Sequence, residues 1–415
     1  MKTWPQTSIP ELPGTGVPPR IFDTPSGTVR PVDAGPTATM YVCGVTPYDT
    51  THLGHAATYV TFDILNRALR DAGHEVRYVQ NVTDVDDPLL ERATRDGVHW
   101  TDLARDQITL FHEDMTDLAV LPPEHYVGVV EAMQLVIDAV DALTAAGATY
   151  AVANDDTCHG PDLYLDLAKA STLGSVSQWS REDMLGVFGE RGGDPGRPGK
   201  RDKLDPLLWR AQRDGEPSWE GGDLGPGRPG WHIECTAIAL HFLGKSFDIQ
   251  GGGADLVFPH HEMSSAQAEC LGTHPFARRF VHQALLSYDG HKMSKSRGNL
   301  VRVSQLRAQG ADSVAIRMAL LRHHYRTEWE WVDADLTNAE SALARWRQAV
   351  SVNTAPDAEA LLVDLRAAIA DDLDTPKALA AIDHWVDTCL TSGGHNPTAP
   401  GLVARMCDAL LGLRL

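Results

Sequence analysis

The spacing of apolar residues in the first ninety positions predicts a strand, a helix and a second strand. Residues 40–45 form a short apolar run, and the turn residues Gly44 and Pro47 end it. Apolar side chains then recur at helical spacing, which predicts a helix over residues 58–70. Residues 75–81 have the pattern of the next strand. Because elements in this order form a right-handed parallel unit, the pattern indicates an α/β fold.

Short strands and amphipathic helices alternate along the rest of the chain, which ends in helices alone. Further strands are predicted at residues 29–32, 148–152, 162–166, 247–250 and 280–286. Helices are predicted at residues 89–118, 129–143, 303–324, 336–350, 358–372, 378–390 and 403–413, with one more starting at Trp231 and one ending at Cys270. Residues 188–230, including 205–209, are predicted to be loop-rich and to form either a plain surface connection or a functional insertion.

These elements predict a Rossmann-like, parallel-sheet catalytic domain with an insertion and an all-helical C-terminal domain. The first 35 residues are rich in Pro, Gly and Thr, which favours an extended arm. The expected regions are the arm at 1–35, a first catalytic half at 36–125, an inserted connective region at 126–227, a second catalytic half at 228–300, linking helices at 301–332 and a helical domain at 333–415.

The composition is that of an ordinary globular protein, and it argues against a membrane or a broad nucleic-acid surface as the partner. The 415 residues are enough for two or three packed units, and 43% of them are hydrophobic and 22% charged. Neither an apolar run of about 18 residues nor an apolar signal-peptide core is present, so we expect a cytoplasmic protein with no membrane partner. The formal net charge of −20 argues against a broad nucleic-acid surface, which needs clustered Lys and Arg, and leaves a local basic patch open.

Six cysteines stand far apart in the chain, and none belongs to a C-x-x-C pair. A disulfide framework is not expected in a cytosolic chain of this size, so a functional cysteine would be a metal ligand or a reactive thiol. Cys43 lies at the end of the first core strand, where open α/β sheets bind ligands. A single buried cysteine is more often a small hydrophobic residue, so its position alone leaves both interpretations open.

The turn after the first core strand has the features of a phosphate site. Backbone N–H groups are free at the start of a helix, and the helix dipole favours negative charge there. His52 and His55 are three positions apart, so on a helix start they share one face. Two imidazoles in this position could donate hydrogen bonds to a triphosphate as its charge shifts. Histidines near a turn are also common surface residues, so the stretch by itself does not decide between the two.

Two later segments could complete a nucleotide site. The glycines of residues 251–253 would let the backbone approach a ligand closely, and Asp255 could bind ribose hydroxyls. Residues 292–299 form a basic loop that is either a solvated turn or a phosphate-binding element.

Four segments in order resemble the class I cysteinyl-tRNA synthetases. The sequence His-Leu-Gly-His at 52–55 resembles their HIGH signature, and Lys-Met-Ser-Lys-Ser at 292–296 resembles their KMSKS signature. Between these stand residues 228–235 and 251–262, in the order that the synthetases show. The likeness covers about residues 40–332 and implies a Rossmann-like fold of the HUP type.

Two departures from the synthetase pattern point to a paralogous family. The synthetases continue into an anticodon-reading domain, whereas here the helices that begin near residue 336 run to the last residue. The zinc-binding Glu of the synthetases corresponds to Ser264 in this sequence, and whether Ser264 has a role near the metal is left open. With residues 46–48 after the first turn and the loop at 190–195, these departures resemble the mycothiol-pathway ligases, which join cysteine to glucosaminyl-inositol using ATP.

The resemblance implies a zinc site and a set of substrate contacts. The zinc ligands would be Cys43, Cys235 and His260, with the substrate thiolate as the fourth, and two thiolates with one imidazole suit zinc. The expected catalytic residues are His52, His55, Lys292 and Lys295. The residues expected around ATP, its Mg²⁺ and the aminoacyl group are Cys43, Gly44, Val45, Thr46, Thr58, Asn81, Val82, Thr83, Trp231, Gly253, Ala254, Asp255, Leu286, Ser294 and Ser296.

Other functions are weighed against this interpretation. A short cysteinyl-tRNA synthetase differs in its acceptor, and a catalytically silent nucleotide-binding paralogue would not need intact signature residues. A nicotinamide-dependent oxidoreductase would need G-x-G-x-x-G after the first strand, which is absent. We expect L-cysteine, ATP and glucosaminyl-inositol as partners and no nucleic acid, with a monomer as one option. The sequence identifies neither the acceptor-binding residues nor the general base.

Overall fold

A computed structural model describes residues 1–49, 51–154, 158–293 and 298–415. Up to residue 128 the elements are β1 (Arg20–Asp23), β2 (Thr28–Pro31), β3 (Thr37–Val42), α1 (Leu53–Asp71), β4 (Glu75–Val82), α2 (Asp87–Asp96), α3 (Trp100–Asp117) and β5 (His125–Gly128). The inserted region contains α4 (Met133–Ala145), β6 (Thr149–Val152), β7 (Asp162–Leu165), α5 (Arg181–Phe188), β8 (Leu207–Ala211) and β9 (Gly227–Pro229).

The chain then returns to the central sheet and finishes in helices. The returning elements are α6 (Trp231–Leu243), β10 (Phe247–Gly253), α7 (Glu262–Cys270), β11 (Ala277–Gln283), β12 (Leu286–Tyr288) and β13 (His291–Lys292). The last elements are α8 (Val303–Ala308), α9 (Ser313–Leu321), β14 (Trp329–Glu330), α10 (Asp333–Val350), α11 (Glu359–Ala370), α12 (Thr375–Ser392) and α13 (Ala399–Leu411). Throughout the described ranges, no helix has the combined length and apolar character needed to cross a bilayer.

The central sheet is parallel and has the strand order β11-β10-β3-β4-β5. Within it, Val42 of β3 pairs with Gly251 of β10 on one side and with Gln80 of β4 on the other. The predicted α/β, Rossmann-like fold is therefore confirmed. Because the strands share one direction, the segments that follow them meet at one edge of the sheet, where such folds bind ligands.

The first helix starts earlier than the sequence pattern predicted. Helix α1 begins at Leu53 rather than at Thr58, and His52 is its N-cap residue. The periodicity was hidden because Gly54 and His55 interrupt the apolar face in the first turn, although Leu53 is fully buried. The earlier start places both signature histidines at the helix N-terminus.

Three predicted elements are each broken in two. The helix predicted at 89–118 is α2 followed by α3, because Gly97 adopts a left-handed conformation with φ of 67° and ends α2. The helix predicted at 303–324 is α8 followed by α9, with Gly310 at φ of 96° between them. The strand predicted at 280–286 is β11 followed by β12. The apolar spacing continues across each break because both pieces pack on the core, so periodicity alone did not show the breaks.

The inserted region is more ordered than predicted. Residues 205–209 were expected in a loop, but β8 belongs to an antiparallel sheet with the order β6-β7-β8-β9. Trp209 in this strand is fully buried. The run Leu207-Leu208-Trp209 follows Asp205-Pro206, and three apolar residues after a turn pair were too short a signal for a strand.

A buried ionic cluster ties the C-terminal helices to α1. Arg67 donates a hydrogen bond to Asp63 over 2.7 Å, and Arg317 of α9 pairs with the same carboxylate. Burial works to raise the pKa of Asp63, but the two guanidinium groups outweigh burial and lower it. Arg67 and Arg317 also donate to the main-chain oxygens of Asp408 and Leu411 in α13, so the last helix is anchored to α1 and α9.

Candidate active site

The turn after β3 is packed directly onto the end of β4. The Gly44 N–H donates to Asn81 Oδ1 over 2.8 Å, and the Thr83 N–H donates to the Val45 oxygen over 3.1 Å. A Cβ atom at Gly44 would lie 1.6 Å from the main-chain oxygen of Asn81, so only glycine fits there. Asn81 and Thr83, which were predicted as substrate contacts, hold the shape of this turn.

His52 and His55 lie together at the N-terminus of α1. The His55 N–H donates to His52 Nδ1 over 3.3 Å, and the two rings stack with their centroids 3.6 Å apart. The Leu53 N–H donates to the Val301 oxygen over 2.9 Å, which joins this turn to the segment after the basic loop. Both imidazoles face the cavity described below, at the end of the helix that favours anions.

The three predicted metal ligands come together in the interior. The Sγ atoms of Cys43 and Cys235 are 3.9 Å apart, and the possible ligand atoms of Cys43, Cys235 and His260 all lie within 4.8 Å of one another. All three residues are buried. Two sulfurs and one imidazole nitrogen are the donors that zinc prefers, so the residues present fit a zinc ion with one open position. Ser264 donates to the His232 oxygen over 3.4 Å, so its hydroxyl is engaged with α6.

The two sulfurs differ strongly in acidity. Burial works to raise the pKa of Cys235, but the hydrogen bond from Cys43 and the nearby His260 outweigh burial and lower it well below its usual range. Burial and the Cys235 sulfur raise the pKa of Cys43 well above its usual range. Zinc ligates thiolates, so a bound zinc ion would displace any proton held by this pair of sulfurs.

A layer of buried polar side chains that the sequence pattern did not predict surrounds Cys43. Nε2 of His261 and Nε2 of Gln250 each lie 3.3 Å from Cys43 Sγ. His261 Nδ1 is in turn 2.8 Å from His282 Nε2. Burial lowers the pKa of His261 well below its usual value and that of His282 to about 3, so both rings are neutral. The adjacent histidines in the Pro-His-His segment were the signal that could have found this layer.

A cavity of about 610 Å³ opens between the turn, the start of α1 and the end of β10. The predicted site residues that line it are Cys43, Gly44, Val45, Thr46, His52, His55, Thr58, Trp231, Gly253, Asp255 and Leu286. The predicted residues that do not line it are Asn81, Val82, Thr83, Ala254, Cys235 and His260. The lining residues that were not predicted are Tyr48, Gly54, Tyr59, Glu190, Leu256, Gln283, Ala284, Leu285, Met293 and Leu300. The Trp231 ring packs on the His260 ring at 4.5 Å and so connects the cavity with the metal-ligand group.

The glycine triplet differs from its prediction. Residues 251–253 belong to strand β10, and at each of the three glycines a neighbouring side chain lies where a Cβ atom would crowd it. A Cβ at Gly251 would lie 2.3 Å from the Phe62 ring, and a Cβ at Gly252 would lie 2.9 Å from Leu256. Gly253 is the member of the triplet that lines the cavity, next to Asp255.

Part of the predicted basic loop lies outside the described residues. These are Ser294, Lys295, Ser296 and Arg297, and the Lys292 side chain is likewise not described. Met293 is buried and lines the cavity, so the loop starts at the cavity wall.

Known proteins resemble this chain over its whole length. The profile of the "tRNA synthetases class I (C) catalytic domain" family matches residues 29–341. Proteins named L-cysteine:1D-myo-inositol 2-amino-2-deoxy-alpha-D-glucopyranoside ligase are 56% identical in Sanguibacter keddieii and 56% identical in Thermobifida fusca. The alignments cover 100% of this chain and 100% and 99% of those proteins, respectively. The chain belongs to this ligase family.

Solved structures place the ligase family's fold among the class I synthetases. Mycobacterium tuberculosis methionyl-tRNA synthetase in complex with methionyl-adenylate superposes with a TM-score of 0.62 at 15% identity, over 90% of this chain and 89% of that one. The LeuRS chain agnB2 of Agrobacterium radiobacter K84, in its ternary complex with tRNA and LeuAMS, superposes with a TM-score of 0.64 at 13% identity, over 92% of this chain and 84% of that one. At such identities the likeness concerns the fold alone, and the resemblance to a class I synthetase domain stated from the signature segments is confirmed.

Proposed function

We propose that this protein activates L-cysteine with ATP as cysteinyl-AMP and diphosphate, and then transfers the cysteinyl group to the amine of glucosaminyl-inositol with release of AMP. Its relatives carry the name of a cysteine ligase for this amino sugar, at 56% identity over their full length. The observation that carries the proposal is the buried group of Cys43, Cys235 and His260 beside a cavity headed by the α1 N-terminus. It combines a site for a thiol with a site for a nucleotide.

Selection of cysteine is assigned to the metal-ligand group. A zinc ion held by Cys43, Cys235 and His260 would bind the substrate thiolate in its open position and bind a serine hydroxyl far less well. The neutral His261 and Gln250, both within 3.3 Å of Cys43 Sγ, keep that sulfur oriented.

Adenylation is assigned to the two signature segments. The cysteine carboxylate attacks the α-phosphate of ATP, which carries Mg²⁺, and diphosphate leaves. His52 and His55 are stacked at a helix N-terminus, where N–H donors and the helix dipole stabilise the phosphate charge. Lys292 and Lys295 are assigned to the leaving diphosphate on the strength of the signature alone.

The nucleoside and aminoacyl contacts follow the cavity walls. Asp255 and Gly253 are assigned to the ribose, the backbone near Leu286 to adenine, and Thr46, Thr58 and Trp231 to the aminoacyl group. All six line the same cavity, which supports one continuous site for the adenylate. Asn81, Val82 and Thr83 do not line the cavity, and Asn81 and Thr83 support the turn through hydrogen bonds.

The test uses purified full-length protein with its bound metal. Incubation with ATP, cysteine and glucosaminyl-inositol should give an amide product by mass spectrometry, together with equimolar AMP and diphosphate. Omission of either cysteine or the amino sugar removes the product and serves as the control. Serine in place of cysteine should give at least about 100-fold less product, because a buried metal site discriminates by ligand chemistry.

A parallel assay distinguishes the rival functions. Charging of cysteine tRNA at a rate above amide formation would favour a short synthetase, and no exchange of diphosphate into ATP would favour a silent nucleotide-binding paralogue. The cytoplasmic location and the monomeric state stay predictions, which fractionation and sedimentation would test.

A further inference from the structure

The inserted region brings one acidic side chain to the mouth of the cavity. Glu190 lies in a short 3-10 turn, Gly189–Arg191, that directly follows α5. It lines the cavity together with the Trp231 ring and Asp255, although it is distant from both in sequence. The nucleotide-site and zinc-site assignments above do not use this residue.

Main-chain contacts hold the turn that carries Glu190 in place. The neighbouring Arg191 donates to the Phe258 oxygen over 2.6 Å and to the Asp255 oxygen over 3.1 Å. Its guanidinium also lies 5.5 Å from the centre of the Trp179 ring. The insertion is therefore docked on the segment that connects the ribose carboxylate with His260, and the Glu190 backbone is positioned before any substrate arrives.

Glycines let the following chain pass close to the site. Gly192 has φ of 86°, and a Cβ built on it would lie 3.7 Å from the Trp231 ring. A Cβ at Gly193 would lie 2.5 Å from the Phe188 ring, so a larger residue would push the turn away from the cavity. The insertion is thus shaped to bring Glu190 against the cavity.

The two described acidic side chains of the cavity wall differ in whether they already have a partner in the protein. Among the described lining residues, the carboxylates are Glu190 and Asp255. Asp255 is assigned to the ribose and has partners within the protein. The Glu190 side chain is exposed, and within the described ranges no hydrogen bond or ion pair is found to it. An acidic side chain without a protein partner, carried by a fixed turn at a substrate cavity, suits a cationic substrate.

We infer that Glu190 binds the acceptor's ammonium group and is the base that accepts its proton in the second half-reaction. This inference rests on the proposed function, whose acceptor is an amino sugar that is an ammonium ion at neutral pH. Glu190 takes one proton from this ammonium group and releases it to water at the open mouth. The freed nitrogen lone pair attacks the carbonyl carbon of cysteinyl-AMP, and the C–N bond forms.

In the rest of the step AMP leaves, and the second proton passes through the same Glu190 side chain. The bond from the carbonyl carbon to the phosphate oxygen breaks, and AMP leaves with that electron pair. The new amide nitrogen still carries one extra proton, which passes to the Glu190 carboxylate and then to water. Two protons are released for each amide, and no other reactant is needed.

Two variants of Glu190, each measured in both half-reactions, test this inference. Glu190→Gln keeps the size of the side chain and removes its charge, and Glu190→Asp keeps the charge. For Glu190→Gln we expect kcat/KM for glucosaminyl-inositol to fall by about 100-fold, the size typical of a lost general base. Cysteine-dependent exchange of diphosphate into ATP should stay within about twofold of wild type, and Glu190→Asp should recover part of the transfer rate.

A second acidic residue of the inserted region, outside the cavity, provides the matched control. Glu182→Gln removes an exposed acid of α5, outside the cavity lining, and should change neither rate. Transfer by Glu190→Gln at the wild-type rate would overturn the inference. An equal fall in exchange and transfer would also overturn it, because the loss would then concern folding or adenylation. If the wild type itself exchanges diphosphate but forms no amide with the amino sugar, the proposed acceptor is wrong and the role of Glu190 falls with it.

Discussion

Glu262 gives the sharpest test of how the inserted region is held beside the metal-ligand group. Its fully buried carboxylate accepts hydrogen bonds from the main-chain N–H groups of Gly174 (2.8 Å), Val176 (3.2 Å) and Ser177 (2.7 Å). Glu262 is also the first residue of α7, directly after His260 and His261. We predict that Glu262→Gln loosens the turn segment at residues 172–178 while the sheets of the protein stay intact.

The expected size follows from the hydrogen bonds. The glutamine oxygen can still accept from Gly174, but the new NH₂ group faces the Ser177 N–H and cannot accept from it. The change removes a bond to a charged acceptor, about 1.5–3 kcal/mol, and leaves a buried donor without a partner, about 1–3 kcal/mol. The two ranges add to about 2.5–6 kcal/mol for local opening. Since about 1.4 kcal/mol corresponds to a factor of ten, amide exchange in this segment should become at least about 60-fold faster.

The assay is hydrogen–deuterium exchange with mass spectrometry on peptides that cover residues 172–178. Glu269→Gln is the matched control, because Glu269 lies on the same helix and accepts from Ser171 and Thr172 at a partly exposed position. There we expect a change of about 1 kcal/mol, or roughly fivefold in exchange, since water replaces the lost contact. Exchange in Glu262→Gln within threefold of wild type would refute the reasoning.

Three further predictions address the metal, the fold and the basic loop. Elemental analysis should find no bound zinc in Cys235→Ala. The control Cys389→Ala, which changes a buried cysteine of α12, should keep its zinc. Full zinc content in Cys235→Ala would rule out the ligand role. The pKa of Asp63 is lowered in the folded state, so its ion pairs stabilise the fold above the unfolded carboxyl pKa of about 4 and lose this effect as pH falls through the lower folded value. Denaturant midpoints measured between pH 7 and pH 3 should therefore fall less steeply for Asp63→Asn, from a lower starting value, and parallel curves would contradict this. Lys295→Ala should exchange diphosphate into ATP at least about tenfold more slowly, and a normal rate would remove the loop from adenylation.

Several parts of the site were predictable because they are local. The strand, turn and helix that carry Cys43, His52 and His55 follow one another in sequence, and their spacing indicated a phosphate-binding turn. The correct start of α1 was not readable, because Gly54 and His55 interrupt the apolar pattern that defines a helix. The breaks at Gly97 and Gly310 were missed for the opposite reason, since the apolar spacing continues across them.

The glycine triplet shows where local reasoning fails. Glycines before an acidic residue indicate close approach of a ligand, and that interpretation fits Gly253 at the cavity wall. Gly251 and Gly252 instead make room for Phe62 of α1 and for Leu256, which only the packed structure reveals. The polar layer of Gln250, His261 and His282 was missed in the same way, because its members come from different elements.

The sequence by itself determined the order of strands and helices, the turn at the α1 N-terminus and the family resemblance, because these depend on neighbouring residues and on short signature segments. Only the tertiary structure decided that Cys43 and Cys235, 192 positions apart, are in contact. Strand β10 lies in register beside β3, and α6 packs against β3 and β4, so the three ligands converge on one point. The same long-range packing carries Glu190 to the cavity, because a side chain of an insertion reaches a site only through the surfaces on which it docks.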